Sequence, residues 1–70
     1  MATTQYFNES VKDQEGETVL DIEIGRSSYY PDHSIYIEVD GKTVIMTPEI
    51  AKKFVDSVVS VGHYFGFVEE

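Results

Sequence analysis

The chain has 70 residues, with thirteen acidic and five basic side chains, a formal net charge of -8 and no cysteine. This length suits one domain, so we expect residues 1–70 to fold as a single unit. The lack of cysteine excludes disulfides and thiolate metal sites, and the acidic charge argues against direct binding to nucleic acid or an anionic membrane. Because the sequence shows neither a membrane span nor a basic, apolar signal peptide, we expect a cytoplasmic protein.

The N-terminal residues 3–12 are a candidate first strand. Phe7 and Val11 would face inward, although the polar residues between them weaken the pattern. The polar residues 13–17 then predict a loop with a turn.

A second strand is predicted for residues 18–25, which alternate between apolar and acidic side chains. Asp21 and Glu23 lie on one face of this strand. Its apolar residues share the other face: Leu20, Ile22 and Ile24. Residues 26–33 break the alternation and predict a loop, since Pro31 cannot sit in a central strand.

A hairpin is predicted around Asp40 and Gly41, because Asp-Gly between alternating apolar residues favours a type I′ turn. With these two residues in the turn, the facing pairs are Val39 with Lys42, Ile37 with Val44, Tyr36 with Ile45, and Ile35 with Met46. A slip of one residue would bury Glu38, so this register is well specified.

A helix is predicted to begin at Thr47, Pro48 and Glu49, which suit the N-cap, the first helical position and the helix dipole. Apolar residues recur at intervals of three and four along one side: Ile50, Ala51, Phe54, Val55, Val58 and Val61. We expect the helix to end between Gly62 and Phe65.

These elements predict an α+β fold in which a three- to four-stranded antiparallel sheet, a meander containing the Asp40–Gly41 hairpin, packs on one C-terminal helix. The helix would cover one sheet face, formed by Leu20, Ile22, Ile24, Ile35, Ile37, Val39, Val44 and Met46. The other face would stay open, with Asp21, Glu23, Tyr36, Glu38, Thr43 and Ile45.

No catalytic, metal-binding or cofactor-binding motif emerges, so the sequence predicts a protein that is not an enzyme and needs no cofactor. His33 and His63 lie far apart, and neither has a second ligand at metal spacing. The run Asp32-His33-Ser34 contains the residue types of a catalytic triad, but a triad requires a three-dimensional arrangement rather than adjacency.

Two features remain as candidates for partner binding. One is acidic, formed by carboxylates on the open face together with Asp13, Glu15 and Glu17 on the preceding loop. Its alternative interpretation is a merely solubilising surface. The other is aromatic, because tyrosine is enriched in binding hot spots. Its members are Tyr29, Tyr30, Tyr36, Tyr64, Phe65 and Phe67. The alternative is that Phe65 and Phe67 close the core and that Tyr29 and Tyr30 brace the loop. The predicted partner-binding residues are Asp21, Glu23, Tyr29, Tyr30, Tyr36, Glu38 and Ile45.

The segment from Val44 to Val55, a strand that leads into a Thr-Pro-Glu helix start, is common in small bacterial and phage proteins. In general character, a short, acidic, cysteine-free chain resembles phage-encoded inhibitors, including anti-CRISPR proteins. The acidic open face and the Tyr29–Tyr30 loop predict an inhibitor or adaptor that occludes a basic surface on a larger protein, in the host cytoplasm if the chain is viral. The alternative is a homo-oligomeric structural or accessory protein, a homodimer for example, whose open face self-associates through Tyr36 and Ile45.

Overall fold

The computed structural model describes residues 2–68 and shows an α+β fold, a four-stranded antiparallel sheet followed by one helix. The strands are ordered β1-β2-β3-β4, so each pairs with its neighbour in sequence. This result confirms the predicted fold class. The elements are β1 (Thr3–Lys12), β2 (Val19–Ser27), β3 (Ser34–Val39), β4 (Lys42–Ile45) and α1 (Pro48–Phe65).

The first hairpin is closed by the side chain of Asp13. Its Oδ1 accepts hydrogen bonds from the backbone N–H of Gly16 at 2.7 Å and of Glu17 at 3.1 Å. Gly16 has a φ of 79°, a left-handed conformation that glycine adopts without a steric penalty. The candidate first strand is confirmed as β1, which pairs with β2 along its length. It carries a β-bulge between Gln5 and Phe7.

The second hairpin has the predicted turn and the predicted register. Asp40 and Gly41 have φ values of 52° and 82°, as a type I′ turn requires. The β3–β4 pairs are Tyr36 with Ile45, Ile37 with Val44, Glu38 with Thr43, and Val39 with Lys42.

The helix has a well-formed cap at each end. At its N-terminus, Thr47 Oγ1 accepts a hydrogen bond from the N–H of Ile50 at 3.4 Å, and Pro48 follows the cap. At its C-terminus, Gly66 has a φ of 76°, and the N–H of Phe67 bonds to the carbonyl of Gly62 at 2.8 Å. This 6→1 bond belongs to a Schellman motif and ends the helix at Phe65, inside the predicted window.

The loop predicted for residues 26–33 begins two residues later than expected. Arg26 and Ser27 continue β2, because their pairing with β3 runs on to Ser34. Ser27 is buried, and its Oγ accepts a hydrogen bond from the N–H of Tyr29 at 3.2 Å. The Ser27 hydroxyl therefore supports the turn that follows the strand.

The predicted core is wrong. The contacts of α1 with the sheet are mainly with β3, so the helix does not cover the face assigned to it. Val39 and Val44 are exposed there, and the only hydrophobic side chains among residues 2–68 that are fully buried are Tyr36 and Ala51. Periodicity identified the apolar sides of the sheet and the helix, but it does not specify what covers them. In the described part of the chain, no helix is both long and apolar enough to cross a bilayer.

Candidate functional site

The candidate site is the sheet face that bears the acidic residues of β2 and β3, which we call the acidic face. It consists of Asp21, Glu23, Tyr36, Glu38, Thr43 and Ile45. A depression of about 190 Å³ lies on this face, and its lining is Thr3, Glu23, Ser27, Tyr36, Glu38, Thr43 and Ile45. The fold thus brings together four of the seven predicted binding residues, and Asp21 lies on the same face in β2.

Tyr36 occupies the centre of the acidic face, but it is only 3% exposed. The expectation that the Tyr36 side chain is exposed for contact with a partner is therefore wrong. It lies directly across from Gly25, where a Cβ would come within 2.8 Å of the Tyr36 ring atom Cε1. The ring fits over β2 because Gly25 has no side chain.

The Tyr36 hydroxyl donates a hydrogen bond to Oε2 of Glu23. This bond, together with burial and the negative charges of Glu23 and Glu38, raises the pKa of Tyr36 to about 12. Tyr36 therefore remains a neutral donor at physiological pH, and it holds the Glu23 carboxylate in place.

Glu23 and Glu38 form a cross-strand pair between β2 and β3. Like charges directly opposite each other destabilise a sheet, so this pair works against folding. The Glu38 carboxylate is also held by a hydroxyl, since Thr43 Oγ1 donates to its Oε1 at 2.9 Å.

The third carboxylate of the acidic face has the same kind of partner. Ser10 Oγ donates to Oδ1 of Asp21 at 2.7 Å. Within residues 2–68, the ion pair that forms is on the helix, between Lys52 and Asp56 at 3.3 Å, and both of its side chains are well exposed. All three carboxylates of the acidic face are thus oriented by neutral hydroxyls that leave their charge in place.

Tyr29 and Tyr30 do not contribute to the lining of this depression. They lie in the loop between β2 and β3, where their rings meet edge to face with centroids 5.0 Å apart. Tyr29 is 62% exposed and Tyr30 is half-buried. The sequence therefore grouped two separate surfaces, the acidic face and an aromatic loop.

Sequence reasoning missed the contributions of Thr3, Ser10 and Ser27. Thr3 and Ser27 line the depression, and Ser10 holds Asp21. Ser27 was missed because it was assigned to the loop of residues 26–33, whereas the sides taken by Thr3 and Ser10 depend on the β1–β2 register, which shifts at the bulge between Gln5 and Phe7. A shift of one residue moves side chains to the other face, so alternation alone could not assign β1.

No group of three or more histidine, aspartate or glutamate residues in the described range 2–68 is arranged to hold a metal ion. His33 lies in the loop before β3, and His63 is in the last turn of α1. Comparison of the chain with protein-family models, with characterised proteins and with solved structures gives no match in any of the three. The function has to be argued from the residues of the chain itself.

Proposed function

We propose that the chain is a non-enzymatic binding protein that occludes a basic surface on a larger protein, with the acidic face as its contact. The observation that carries this proposal is the facing pair Glu23 and Glu38, whose carboxylates are oriented by Tyr36 and Thr43. A fold that only needed solubility could place these charges apart on loops. Keeping them opposed and ordered is useful when a cationic group binds between them.

The chemistry of the site fits a lysine- or arginine-rich surface. Oriented carboxylates accept charge-assisted hydrogen bonds, which are about twice as strong as neutral ones. Because the carboxylates are already held, little side-chain freedom is lost when a partner binds. Long-range attraction from the net charge of -8 would also speed association at low ionic strength.

The Tyr29–Tyr30 loop offers a second, apolar contact next to the sheet. Exposed tyrosine gives a large contact area at a small entropy cost, so it acts mainly on the dissociation rate. An inhibitor that uses both surfaces would associate through charge and be retained through the aromatic loop.

The test compares two triple variants, each of which removes three negative charges. One is Asp21→Asn with Glu23→Gln and Glu38→Gln, which keeps an acceptor for each hydroxyl. The matched control neutralises exposed acids outside the acidic face, in the β3–β4 turn and on the helix: Asp40→Asn, Glu49→Gln and Asp56→Asn.

Binding is measured first to a lysine-rich peptide and then to proteins captured from a lysate of the native host. We expect the acidic-face variant to associate at least tenfold more slowly, and the control variant to stay close to the parent. Equal loss in both variants would show that only the net charge matters. Full binding by the acidic-face variant would refute the proposal.

A further inference from the structure

The side of the sheet opposite the acidic face is apolar and largely without cover. We call it the apolar face, and the register places on it Phe7, Val11, Leu20, Ile22, Ile24, Ile35, Ile37, Val39, Val44 and Met46. Val44 is 61% exposed at its edge. The helix carries a second uncovered surface, the helix stripe, formed by Ile50, Phe54, Val55, Val58 and Val61.

The amount of exposed surface exceeds what a compact monomer of this size has. A folded monomer of 7.9 kDa exposes about 4,400 Å², whereas this chain exposes 5731 Å². The radius of gyration is 13.6 Å, against about 11 Å for a compact domain of 70 residues. The excess of about 1,300 Å² is more than the ~800 Å² that each partner buries in a standard protein interface.

The final folded state needs this cover to be stable. Tyr36 and Ala51 are the fully buried hydrophobic side chains of residues 2–68, and so small a core does not offset the conformational entropy of folding. Each copy of the chain carries both surfaces, so a two-fold arrangement of two copies covers them reciprocally.

The distribution of charge also favours a second copy of the chain as the partner that covers the apolar face. On the apolar face, the register places one acid, Glu9, and two bases, Arg26 and Lys42. This side therefore lacks the negative excess of the whole chain, and two copies can approach through it without strong repulsion.

We propose that the protein is an obligate homodimer in which the apolar face and the helix stripe of each copy are covered by those of the other. The two acidic faces then point outward on opposite sides. This interface differs from the self-association through Tyr36 and Ile45 that the sequence suggested, since Tyr36 is buried and Ile45 lies on the acidic face.

The first test measures the parent protein. We expect a solution mass of twice 7.9 kDa and a melting temperature that rises by roughly 5 °C for each tenfold increase in concentration. A cooperatively folded chain with the single-chain mass and a concentration-independent melt would overturn the proposal, and so would a closed assembly of more than two chains.

The second test uses pairs of variants with matched chemistry. Val44→Glu and Val58→Glu place a charge in the proposed interface. Val19→Glu and Ser60→Glu place the same charge on exposed positions outside it, with Val19 facing Lys12 on the acidic side.

We expect the interface variants to become monomeric or to unfold, and the control variants to keep the dimer mass. Unfolding of Val44→Glu supports the proposal because a valine that is 61% exposed in a monomer would tolerate glutamate. Intact dimers in both interface variants, or dissociation of all four variants, would overturn this placement of the interface.

Discussion

Gly25 and Tyr36 act as one unit at the centre of the sheet. The missing side chain at position 25 lets β1 and the Tyr36 ring approach β2 together, and the ring then presents its hydroxyl to Glu23. The sequence showed a glycine at the end of a strand and a tyrosine on a face, but neither pattern predicts that they pack together. Their pairing depends on the β2–β3 register, which links two segments across a loop.

Replacement of Gly25 by alanine should destabilise the protein by about 1–3 kcal/mol, because the new methyl group overlaps the carbonyl oxygen of Thr4 and crowds Tyr36. Urea denaturation measures this change. The matched control is Gly62→Ala, where the methyl group would lie 2.5 Å from Cγ2 of Val68 and contact no backbone atom outside its own helix. That variant should lose less stability than Gly25→Ala, since the better helix propensity of alanine, worth about 1 kcal/mol, offsets part of the cost of this contact. Equal stability of both variants would show that β1 does not lie against Gly25.

The raised pKa of Tyr36 predicts a loss of stability at high pH. The folded state holds the hydroxyl in its neutral form, with a pKa of about 12 against the ordinary 10.0 of a tyrosine side chain. The contribution of this group is therefore complete below pH 10 and disappears as the pH rises through about 12. Melting temperatures of the parent and of Tyr36→Phe, followed across this range, should converge as the pH rises. A constant difference would mean that Tyr36 ionises as it does in the unfolded chain.

At the scale of elements, local signals predicted most of what formed. The Asp40–Gly41 turn, the β3–β4 register and both ends of α1 were predictable because each depends on residues within a few positions. The end of β2 at Ser27 was harder to predict, since pairing with β3 extends the strand past its last alternating residue. The bulge in β1 left no sequence signal that we recognise.

Replacement of Gly41 by valine should cost about 1–3 kcal/mol, because a β-branched residue resists the φ of 82° at this position. Lys42→Val is the control in the same hairpin, at a strand position that favours β-branched residues. Thermal melting of the two variants compares them directly. If Gly41→Val melts with the parent, the turn does not use a left-handed conformation there.

At the scale of the whole molecule, the sequence predicted which sides are apolar but not what covers them. The same apolar periodicity serves a helix that packs on its own sheet and a helix that packs on another copy. The contacts of α1 mainly with β3 and the flat dimensions of 38 × 33 × 17 Å show that the helix covers little of its own sheet. The candidate site was predicted in part, as its carboxylates follow from strand alternation while the hydroxyls that orient them do not.

The free energy of unfolding that is lost in Ile37→Ala shows how well the apolar face is covered. With a second copy in place, Ile37→Ala should destabilise by about 2–5 kcal/mol, as for a core residue. The control is Ile45→Ala, a half-buried residue of the acidic face that should lose much less. Urea denaturation at two protein concentrations makes this comparison. Similar losses at both positions would mean that Ile37 is no better covered than Ile45.

The meander order of the strands has a consequence for how fast the chain reaches its final state. Each strand pairs with the next one along the sequence, so every pairing closes a short loop and the sheet can assemble rapidly within one molecule. In the proposed dimer, burial of the apolar face follows only when a second copy collides with the assembled sheet. Refolding should therefore show a fast phase independent of concentration, followed by a slower phase whose rate rises with concentration, and the species between them would be the one most prone to aggregate.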